Sequence, residues 1–267
     1  MITFPQALEL CDLLSDAAGN AISNLVDTSE AFETVYIGAD GTDTKLIDDV
    51  SEKAILEVLR ENGRSMRILS EEFGEIKLGE DPEFSIILDP LDGTYNVANG
   101  IPVYSISIAI GNPDHTSVYF GYVKNLANGD VFHAGLGKGA YFNGQRIAPS
   151  RNHVLDTFCI SLYGYRKNVE RTVDLCKSVR RIRILGSVAL ELCYVASGRL
   201  DAFVDVRGSL RLVDVAAGKL VIEEAGGNVT DGKGSPLKLK GSVINPHYMV
   251  ASNGHAHSDI LNLIKRH

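Results

Sequence analysis

Apolar residues recur at helical spacing in two stretches near the beginning of the chain, residues 4–26 and 46–62. A spacing of three and four positions places apolar side chains on one face of a helix. We therefore predict an amphipathic helix in each stretch. Between them, residues 35–38 predict a short strand and residues 39–44 a polar turn.

From residue 66 to residue 146 the pattern changes to short apolar runs separated by turn residues. Asn128-Gly129 and Asn143-Gly144 are pairs that favour tight turns between strands. We predict strands at residues 66–69, 84–88, 103–110, 117–123 and 130–134, and a β-hairpin at residues 139–144.

The second half of the chain alternates between the two periods. We predict strands at residues 157–162, 181–185, 202–206, 243 and 248–251, and helices at residues 169–179, 188–197, 213–225 and 258–265. Alternating helices and strands indicate a layered α/β architecture. A boundary near residues 149–153 divides the chain into an N-terminal α+β half, residues 1–150, and a C-terminal α/β half, residues 151–267. We expect the two halves to form one integrated catalytic unit.

Composition places the chain among ordinary globular proteins, since 45% of its 267 residues are hydrophobic and 22% are charged. The formal net charge of −8 argues against binding to nucleic acid, which depends on clustered lysine and arginine. The same charge would repel a phosphate ester. Bound divalent cations would remove that repulsion by inverting the local charge.

The four cysteines, at positions 11, 159, 176 and 193, form no close pair in sequence. This spacing excludes the usual zinc and redox motifs and is typical of a reducing compartment. We see neither a secretory leader at the N-terminus nor an apolar run of membrane-spanning length. The expectation is therefore a cytoplasmic protein without a membrane partner.

The most distinctive polar sequence is Asp-Pro-Leu-Asp-Gly-Thr at residues 89–94, directly after a predicted buried strand. Asp89 and Asp92 are three residues apart in a tight turn, so their carboxylates can converge on a hard cation such as Mg²⁺. Gly93 permits close approach to a ligand, and Thr94 adds a hydroxyl and an amide suited to an anion. The alternative is a surface turn with capping acids.

Two further acidic positions follow the same logic. Glu71-Glu72 comes after the predicted strand at residues 66–69, and Asp214 lies among apolar residues at the start of a predicted helix. For each of them, capping of a helix N-terminus is the competing interpretation.

Four motifs together carry a family resemblance. They are Glu71-Glu72, the Asp-Pro-Leu-Asp-Gly-Thr-Tyr-Asn run at residues 89–96, the Gly-Lys-Gly-Ala-Tyr-Phe-Asn-Gly run at residues 137–144, and the stretch at residues 213–227 that begins Val-Asp-Val-Ala-Ala-Gly. In order and spacing they resemble the inositol monophosphatase family over nearly the full length. The resemblance implies an alternating αβαβα sandwich, Mg²⁺-dependent phosphatase activity on a small phosphorylated substrate, and a homodimer.

By position, the resemblance also implies roles for individual residues. The implied metal ligands are Glu71, Asp89, Asp92, Asp214 and the carbonyl of Leu91. Together they would hold about two to three Mg²⁺ ions, for which Mn²⁺ could substitute. The implied catalytic residues are Glu71, Thr94, which would orient the attacking water, and Asp48, which would pair with Thr94. Asp49 competes with Asp48 for that pairing. The implied substrate contacts are Asp92, Gly93, Thr94, Gly186, Ser187 and Val188.

The sequence departs from the family where it bears on the substrate. Val97 and Val213 replace aromatic residues and read as packing changes, whereas Arg207 stands seven positions before Asp214, where animal members have a glutamate that contacts inositol. With Arg183 it predicts contact with a second phosphate, because guanidinium binds phosphate in a bidentate manner. Surface ion pairs are the alternative interpretation.

Residues 37–45 also resemble the archaeal branch of the family, which combines fructose-1,6-bisphosphatase with inositol monophosphatase activity. The sequence therefore predicts a phosphatase for fructose 1,6-bisphosphate and inositol 1-phosphate that works by attack of metal-activated water. Two rivals remain open at this point. One is a phosphatase for 3′-phosphoadenosine compounds or a dinucleotide phosphate, and the other is a regulatory binding protein that retains the fold.

Overall fold

The computed structural model describes residues 2–39, 41–238 and 247–264, with only the backbone described at His247. The helices are α1 (Phe4–Ile22), α2 (Leu46–Glu61), α3 (Thr94–Ala98), α4 (Val173–Ser178), α5 (Val188–Ala196), α6 (Leu212–Ala225) and α7 (His257–Leu263). Short 3₁₀ helices lie at Glu30–Phe32, Leu155–Thr157 and Arg166–Arg171. The strands are β1 (Thr34–Ile37), β2 (Asp43–Lys45), β3 (Met66–Ser70), β4 (Gly74–Leu78), β5 (Phe84–Asp92), β6 (Ser105–Gly111), β7 (Val118–Asn125), β8 (Val131–Gly135), β9 (Gly139–Phe142), β10 (Gln145–Arg146), β11 (Cys159–Tyr163), β12 (Arg181–Arg183), β13 (Ala202–Leu210), β14 (Asn228–Thr230) and β15 (His247–Ser252).

Strands β3 to β10 form one large sheet, in the order β10-β9-β8-β7-β6-β5-β3-β4. Strands β3 and β5 run parallel, whereas β5, β6, β7 and β8 pair antiparallel in sequence order. Apolar side chains occupy both faces of this sheet, so both faces are buried. Ile86 and Ile108 pack with helices α1 and α2 on one face, and Ile87 and Ala109 pack with α5 and α6 on the other.

A smaller sheet follows in the order β12-β11-β13-β15-β14, in which β11 is parallel to both of its neighbours. Phe203 of β13 faces the same core as α5 and α6, and Val204, the next residue, faces a separate core with α4 and α7. The layers are therefore helix, sheet, helix, sheet and helix. This confirms the predicted α/β class and its αβαβα order.

The predicted elements differ from the structure mainly at their ends and where strands are short or polar. Helix α1 ends at Ile22 rather than at residue 26, and the helix predicted at residues 169–179 is a 3₁₀ segment followed by the short α4. Strands β2, β4 and β14 were not predicted, since they lack an apolar run. The predicted strand at residue 243 and the last residue of the predicted final helix, residue 265, lie outside the described residues.

Among the described helices, none combines the length and the apolar character needed to cross a bilayer. The four cysteines are free thiols. The division at residues 150 and 151, the cytoplasmic location and the homodimer stay predictions.

Candidate metal centre

The acidic turn at residues 89–94 begins inside strand β5, whose first eight residues are all buried. Asp89 is 1% exposed, and its Oδ1 accepts a hydrogen bond from the Leu91 amide at 3.1 Å. Gly93 has a φ of 103°, and a Cβ there would lie 3.0 Å from the carbonyl oxygen of Val103. Only glycine fits that conformation and that space without strain. Local backbone requirements therefore fix the turn and, with it, the positions of Asp89 and Asp92.

Three carboxylates from separate segments meet beside this turn. Glu71, Asp89 and Asp214 each place an oxygen within 4.8 Å of the others. Glu71 and Asp89 are adjacent because β3 and β5 are parallel, with Ser70 in register with Leu88 just before the two acids. Asp214 is the third residue of α6, and the N-terminus of that helix lies next to Glu71 and Asp89.

Asp92 has a different environment from the other predicted ligands. Its Oδ2 accepts hydrogen bonds from the Ser187 hydroxyl and the Ala189 amide, both at 2.7 Å. These donors lie at the N-terminus of α5, where a carboxylate is favoured by the orphan amides and the helix dipole. Asp92 thus ties the end of β5 to α5, and it is not part of the group of three carboxylates. Its role as a metal ligand, like that of the Leu91 carbonyl, stays a prediction.

The structure adds one residue that sequence reasoning missed. The guanidinium of Arg211 lies between two of the three carboxylates, with Nη2 2.8 Å from Oδ1 of Asp214 and Nη1 hydrogen-bonded to Glu71. The local signal was a charged residue inside the apolar stretch at residues 210–213, three positions before the acid. That spacing predicts a helix-start contact with Asp214, but it does not predict the contact with Glu71.

Burial of these carboxylates opposes their ionised forms. Burial raises the pKa of Glu71 to about 8, against the attraction of Arg211 and with added repulsion from Asp214. The pKa of Asp89 is raised well above its ordinary value by burial and by the charges of Glu71 and Asp92. Burial also raises the pKa of Asp92 to about 7, although the hydrogen bonds from Ser187 and Ala189 oppose the shift. A bound cation would reverse these shifts by stabilising the charged oxygens.

The donor set fits Mg²⁺. All of the clustered oxygens are hard carboxylate ligands, and Mg²⁺ is commonly bound by a few carboxylates together with substrate phosphate and water. Their mutual repulsion in a buried position is a cost that a divalent cation would offset.

Thr94 and Asp48 form a pair beside the carboxylates. The Thr94 hydroxyl donates to Oδ1 of Asp48 at 2.9 Å, and it also lies 3.3 Å from the carbonyl oxygen of Leu91. Asp49 instead accepts from the Tyr36 hydroxyl at 3.1 Å and from Nζ of Lys53 at 2.8 Å. Neighbouring residues on α2 therefore face different partners, and Asp48 is the one that contacts the threonine.

Burial raises the pKa of Asp48 to about 7, although the hydrogen bond from Thr94 lowers it. A carboxylate with a pKa close to neutrality is suited to accept and release a proton at working pH.

The segment at residues 186–188 lies next to the acidic turn. Gly186 has a φ of 91°, and a Cβ there would lie 2.8 Å from Nδ2 of Asn96. That same Nδ2 donates to the carbonyl of Leu185 at 2.7 Å. Ser187 is the N-cap of α5, and Val188 begins the helix. The turn at residues 89–94 and this segment are therefore held together by Asn96 and by Asp92.

Glu191 holds the segment at residues 186–188 in place through its hydrogen bonds, and the sequence did not predict this role. It is fully buried on α5, and its carboxylate accepts from the hydroxyls of Ser161 at 2.9 Å and Tyr163 at 2.7 Å and from the amide of Leu185 at 2.6 Å. An acidic residue on an otherwise apolar helix was the available signal, but two of its three partners, Ser161 and Tyr163, come from the distant strand β11.

Arg207 is anchored rather than extended into solvent. Its Nε and Nη2 lie 3.0 and 2.5 Å from Oδ2 of Asp205, and its Nη1 donates to the Tyr165 hydroxyl at 2.7 Å. The guanidinium also lies 4.4 Å from the ring centroid of Tyr163. Since the Tyr163 hydroxyl contacts the Gly186 amide at 3.3 Å, Arg207 lies close to the predicted substrate segment.

Arg183 is placed differently. It is exposed on the edge strand β12, and its Nη1 donates to the carbonyl of the preceding residue, Ile182. Within the described part of the chain, no hydrogen bond or ion pair joins the side chain of Arg183 to the carboxylates of the metal centre.

Comparison with known proteins gives a consistent result. A sequence model of the inositol monophosphatase family matches residues 9–267. A Methanothermobacter thermautotrophicus protein named fructose-1,6-bisphosphatase/inositol-1-monophosphatase is 44% identical over 234 residues, 84% of each chain. A Methanococcus maripaludis bifunctional NADP phosphatase/NAD kinase is 36% identical over 96% of this chain, which spans 49% of that longer protein. A solved Pyrococcus horikoshii structure, described as similar to inositol-1 monophosphatase, superposes with a TM-score of 0.83 at 31% identity over 97% of both chains.

Proposed function

Because the chain belongs to the inositol monophosphatase family, we propose that it is a Mg²⁺-dependent phosphatase for fructose 1,6-bisphosphate and inositol 1-phosphate. The observation that carries the proposal is the meeting of Glu71, Asp89 and Asp214 beside the Asp48–Thr94 pair. Carboxylates that can hold metal then lie next to a group that can orient water, which is the combination used in metal-assisted hydrolysis of a phosphate ester.

Mg²⁺ held by Glu71, Asp89 and Asp214, with Asp92 and the Leu91 carbonyl nearby, would neutralise phosphoryl charge and lower the pKa of water. The protein's own contribution is proton handling at Thr94. Its hydroxyl proton is directed to Asp48, so the oxygen of the hydroxyl presents lone pairs to a water on its other side. That water is oriented for attack, and Asp48 can take up a proton through the threonine.

The backbone around Gly93 supplies the second contribution. Thr94 begins helix α3, and the amides of the first residues of a helix have no partner within it. We propose that the amides of Gly93 and Thr94 hold phosphate oxygens, and that Gly186, Ser187 and Val188 contact the hydroxyl groups of the substrate. The close packing of Gly93 against Val103 and of Gly186 against Asn96 supports this, since it fixes the backbone of both segments in place.

A second phosphate would be bound by Arg207. Its contacts with Asp205 and Tyr165 use three of the five guanidinium protons, so donors remain for an anion. The stacking on Tyr163 fixes the plane of the guanidinium beside the Gly186 segment. Arg183 would reach the same phosphate only from the exposed edge of β12, and it is therefore the weaker contact.

Replacing Arg207 by alanine tests this assignment. We expect kcat/KM for fructose 1,6-bisphosphate to fall about tenfold or more relative to inositol 1-phosphate, as for loss of one charge-assisted hydrogen bond. The ratio between the two substrates cancels any partial unfolding caused by exposing Asp205. An equal fall for both substrates would assign Arg207 to the structural ion pair alone. Arg64→Ala is the matched control, because Arg64 pairs with Glu83 at 2.6 Å and takes no part in the proposed site.

A second candidate is hydrolysis of the 2′-phosphate of NADP, one of the dinucleotide phosphates that the sequence left open. The similarity to the Methanococcus maripaludis NADP phosphatase/NAD kinase over 96% of this chain favours it. Both candidates would use the same metal centre, and they would differ in the contacts that the substrate makes with residues 186–188 and Arg207.

Phosphate release from a substrate panel decides between them. The panel contains fructose 1,6-bisphosphate, inositol 1-phosphate, NADP and 3′-phosphoadenosine 5′-phosphate, each with Mg²⁺ and with EDTA. We expect the first two to be hydrolysed fastest, and only with Mg²⁺. Faster release from NADP would transfer the assignment to the second candidate, and no release from any member would contradict the phosphatase proposal itself.

A further inference from the structure

The guanidinium of Arg211 occupies the space between carboxylates that would hold a metal ion. It makes hydrogen bonds to Glu71 on one side and to Asp214 on the other, and Nε lies 3.2 Å from Oδ1 of Asp214. The side chain of Arg211 is 25% exposed, whereas those of Glu71 and Asp214 are 17% and 11% exposed. The ion pairs are therefore largely shielded from water, where charges interact strongly.

A metal ion and this guanidinium compete for the same oxygens. The contacts of Arg211 use Oε1 of Glu71 and Oδ1 of Asp214, and an oxygen that points its lone pairs at N–H groups has fewer to offer a cation. A divalent ion bound by both acids would also lie within a few ångströms of the guanidinium, and like charges at that distance repel. Both cannot hold these oxygens in the present arrangement.

The backbone allows the guanidinium to leave without disturbing the helix. The amide of Arg211 donates to Oδ2 of Asp214 at 2.6 Å, independently of the side chain. This contact caps α6 and keeps Asp214 in place. The long side chain can then move while its own backbone and the carboxylate stay fixed.

We propose that Arg211 is an internal counter-cation of the metal-free centre, which competes with the divalent ion for Glu71 and Asp214. In the metal-free protein it neutralises part of the charge of the three acids and stabilises the fold. On metal binding it is displaced from between them, so it lowers metal affinity and sets the concentration at which the centre fills. The inference rests on the proposed function, because it takes these acids to be the metal site.

The test is metal binding measured without substrate. Isothermal titration with Mg²⁺ and with Mn²⁺ compares the wild-type protein with Arg211→Met, which keeps an unbranched side chain and removes the charge. We expect Arg211→Met to bind metal about tenfold more tightly or better, since a competing cation is gone. In EDTA the same variant should melt at a lower temperature than the wild type, and saturating metal should remove that deficit.

Two further variants sharpen the comparison. Arg211→Lys keeps the charge but offers a single ammonium in place of the planar fork, so its metal affinity should fall between the other two. It also preserves the test if Arg211→Met does not fold without metal. Arg64→Met is the control, because Arg64 pairs with Glu83 at 2.6 Å beside the first residue of β5, at the opposite end of that strand from Asp89. It should leave metal affinity unchanged.

Metal binding by the variant tests the competition, and metal binding by the wild type tests the proposed metal centre. Unchanged or weaker metal binding by Arg211→Met would overturn the competition, because it would make Arg211 neutral or helpful to the metal. A wild-type protein that binds neither Mg²⁺ nor Mn²⁺ would overturn the proposed metal centre as well.

Discussion

Replacing Asp89 by asparagine is expected to lower phosphate release at least about a thousandfold, because a metal-binding charge at the reaction centre is removed. Asp89 lies among the three clustered carboxylates and is buried, so its charge is a large part of what a metal ion would meet there. Asparagine has nearly the same volume, and its carbonyl can still accept the hydrogen bond from the Leu91 amide. The loss should therefore come from chemistry rather than from unfolding.

The measurement is kcat/KM at saturating Mg²⁺, together with a metal titration and a thermal melt of the same protein. Ser85→Ala is the matched control, since Ser85 lies on the same strand at its other end and its hydroxyl donates to the Asn112 carbonyl at 2.6 Å. We expect the control to keep its activity. An Asp89→Asn protein that retained a tenth of wild-type activity, or bound metal as well as wild type, would exclude Asp89 as a metal ligand.

The sequence predicted the part of this centre that depends on local order. A buried strand that ends in an acid places that acid at the edge of a sheet. Two such strands in parallel register bring their acids together, and this is how Glu71 and Asp89 meet. The alternation of helices and strands predicted a layered α/β architecture, whereas the αβαβα order of the layers came from the family resemblance.

The sequence did not predict contacts that depend on the rotation of a helix or the reach of a side chain. The choice between Asp48 and Asp49 turns on which of two neighbours on α2 faces β5, and apolar periodicity fixes that angle only coarsely. The contact between Arg211 and Glu71 joins residues 140 positions apart. Its existence depends on how α6 packs against the large sheet, which no local pattern encodes.

Arg207 shows that the sequence can identify a residue of chemical interest without predicting its contacts. The arginine was recognised from the sequence as a departure with chemical meaning, but its anchoring by Asp205 and its stacking on Tyr163 were not. The two interpretations offered for it, a phosphate contact and an ion pair, are compatible in the structure. An ion pair that uses part of the guanidinium also holds the remainder in a fixed orientation.

Asparagine at Asp48 is expected to lower kcat strongly and asparagine at Asp49 only slightly, although the two acids are adjacent in sequence. Asp48→Asn removes the base behind Thr94 and should lower kcat about a hundredfold to ten-thousandfold, the usual range for general acid–base catalysis. Metal affinity should be retained, since Asp48 contacts the threonine and not the clustered carboxylates. Asp49→Asn removes a contact with Lys53, whose side chain is 59% exposed, and should change kcat less than about threefold.

The pH dependence identifies the group behind this difference. The pKa of Asp48 is raised to about 7, so its ionised, proton-accepting form is lost as the pH falls through 7 and gained as the pH rises. The wild-type rate at saturating Mg²⁺ should therefore increase from pH 6 to pH 8. Bound metal keeps its own carboxylate ligands ionised over this range, which removes them as the source of the increase. The residual activity of Asp48→Asn should lack the increase, and that of Asp49→Asn should keep it. If the increase persisted in Asp48→Asn, the titrating base would be another group, and Asp48 would only position Thr94.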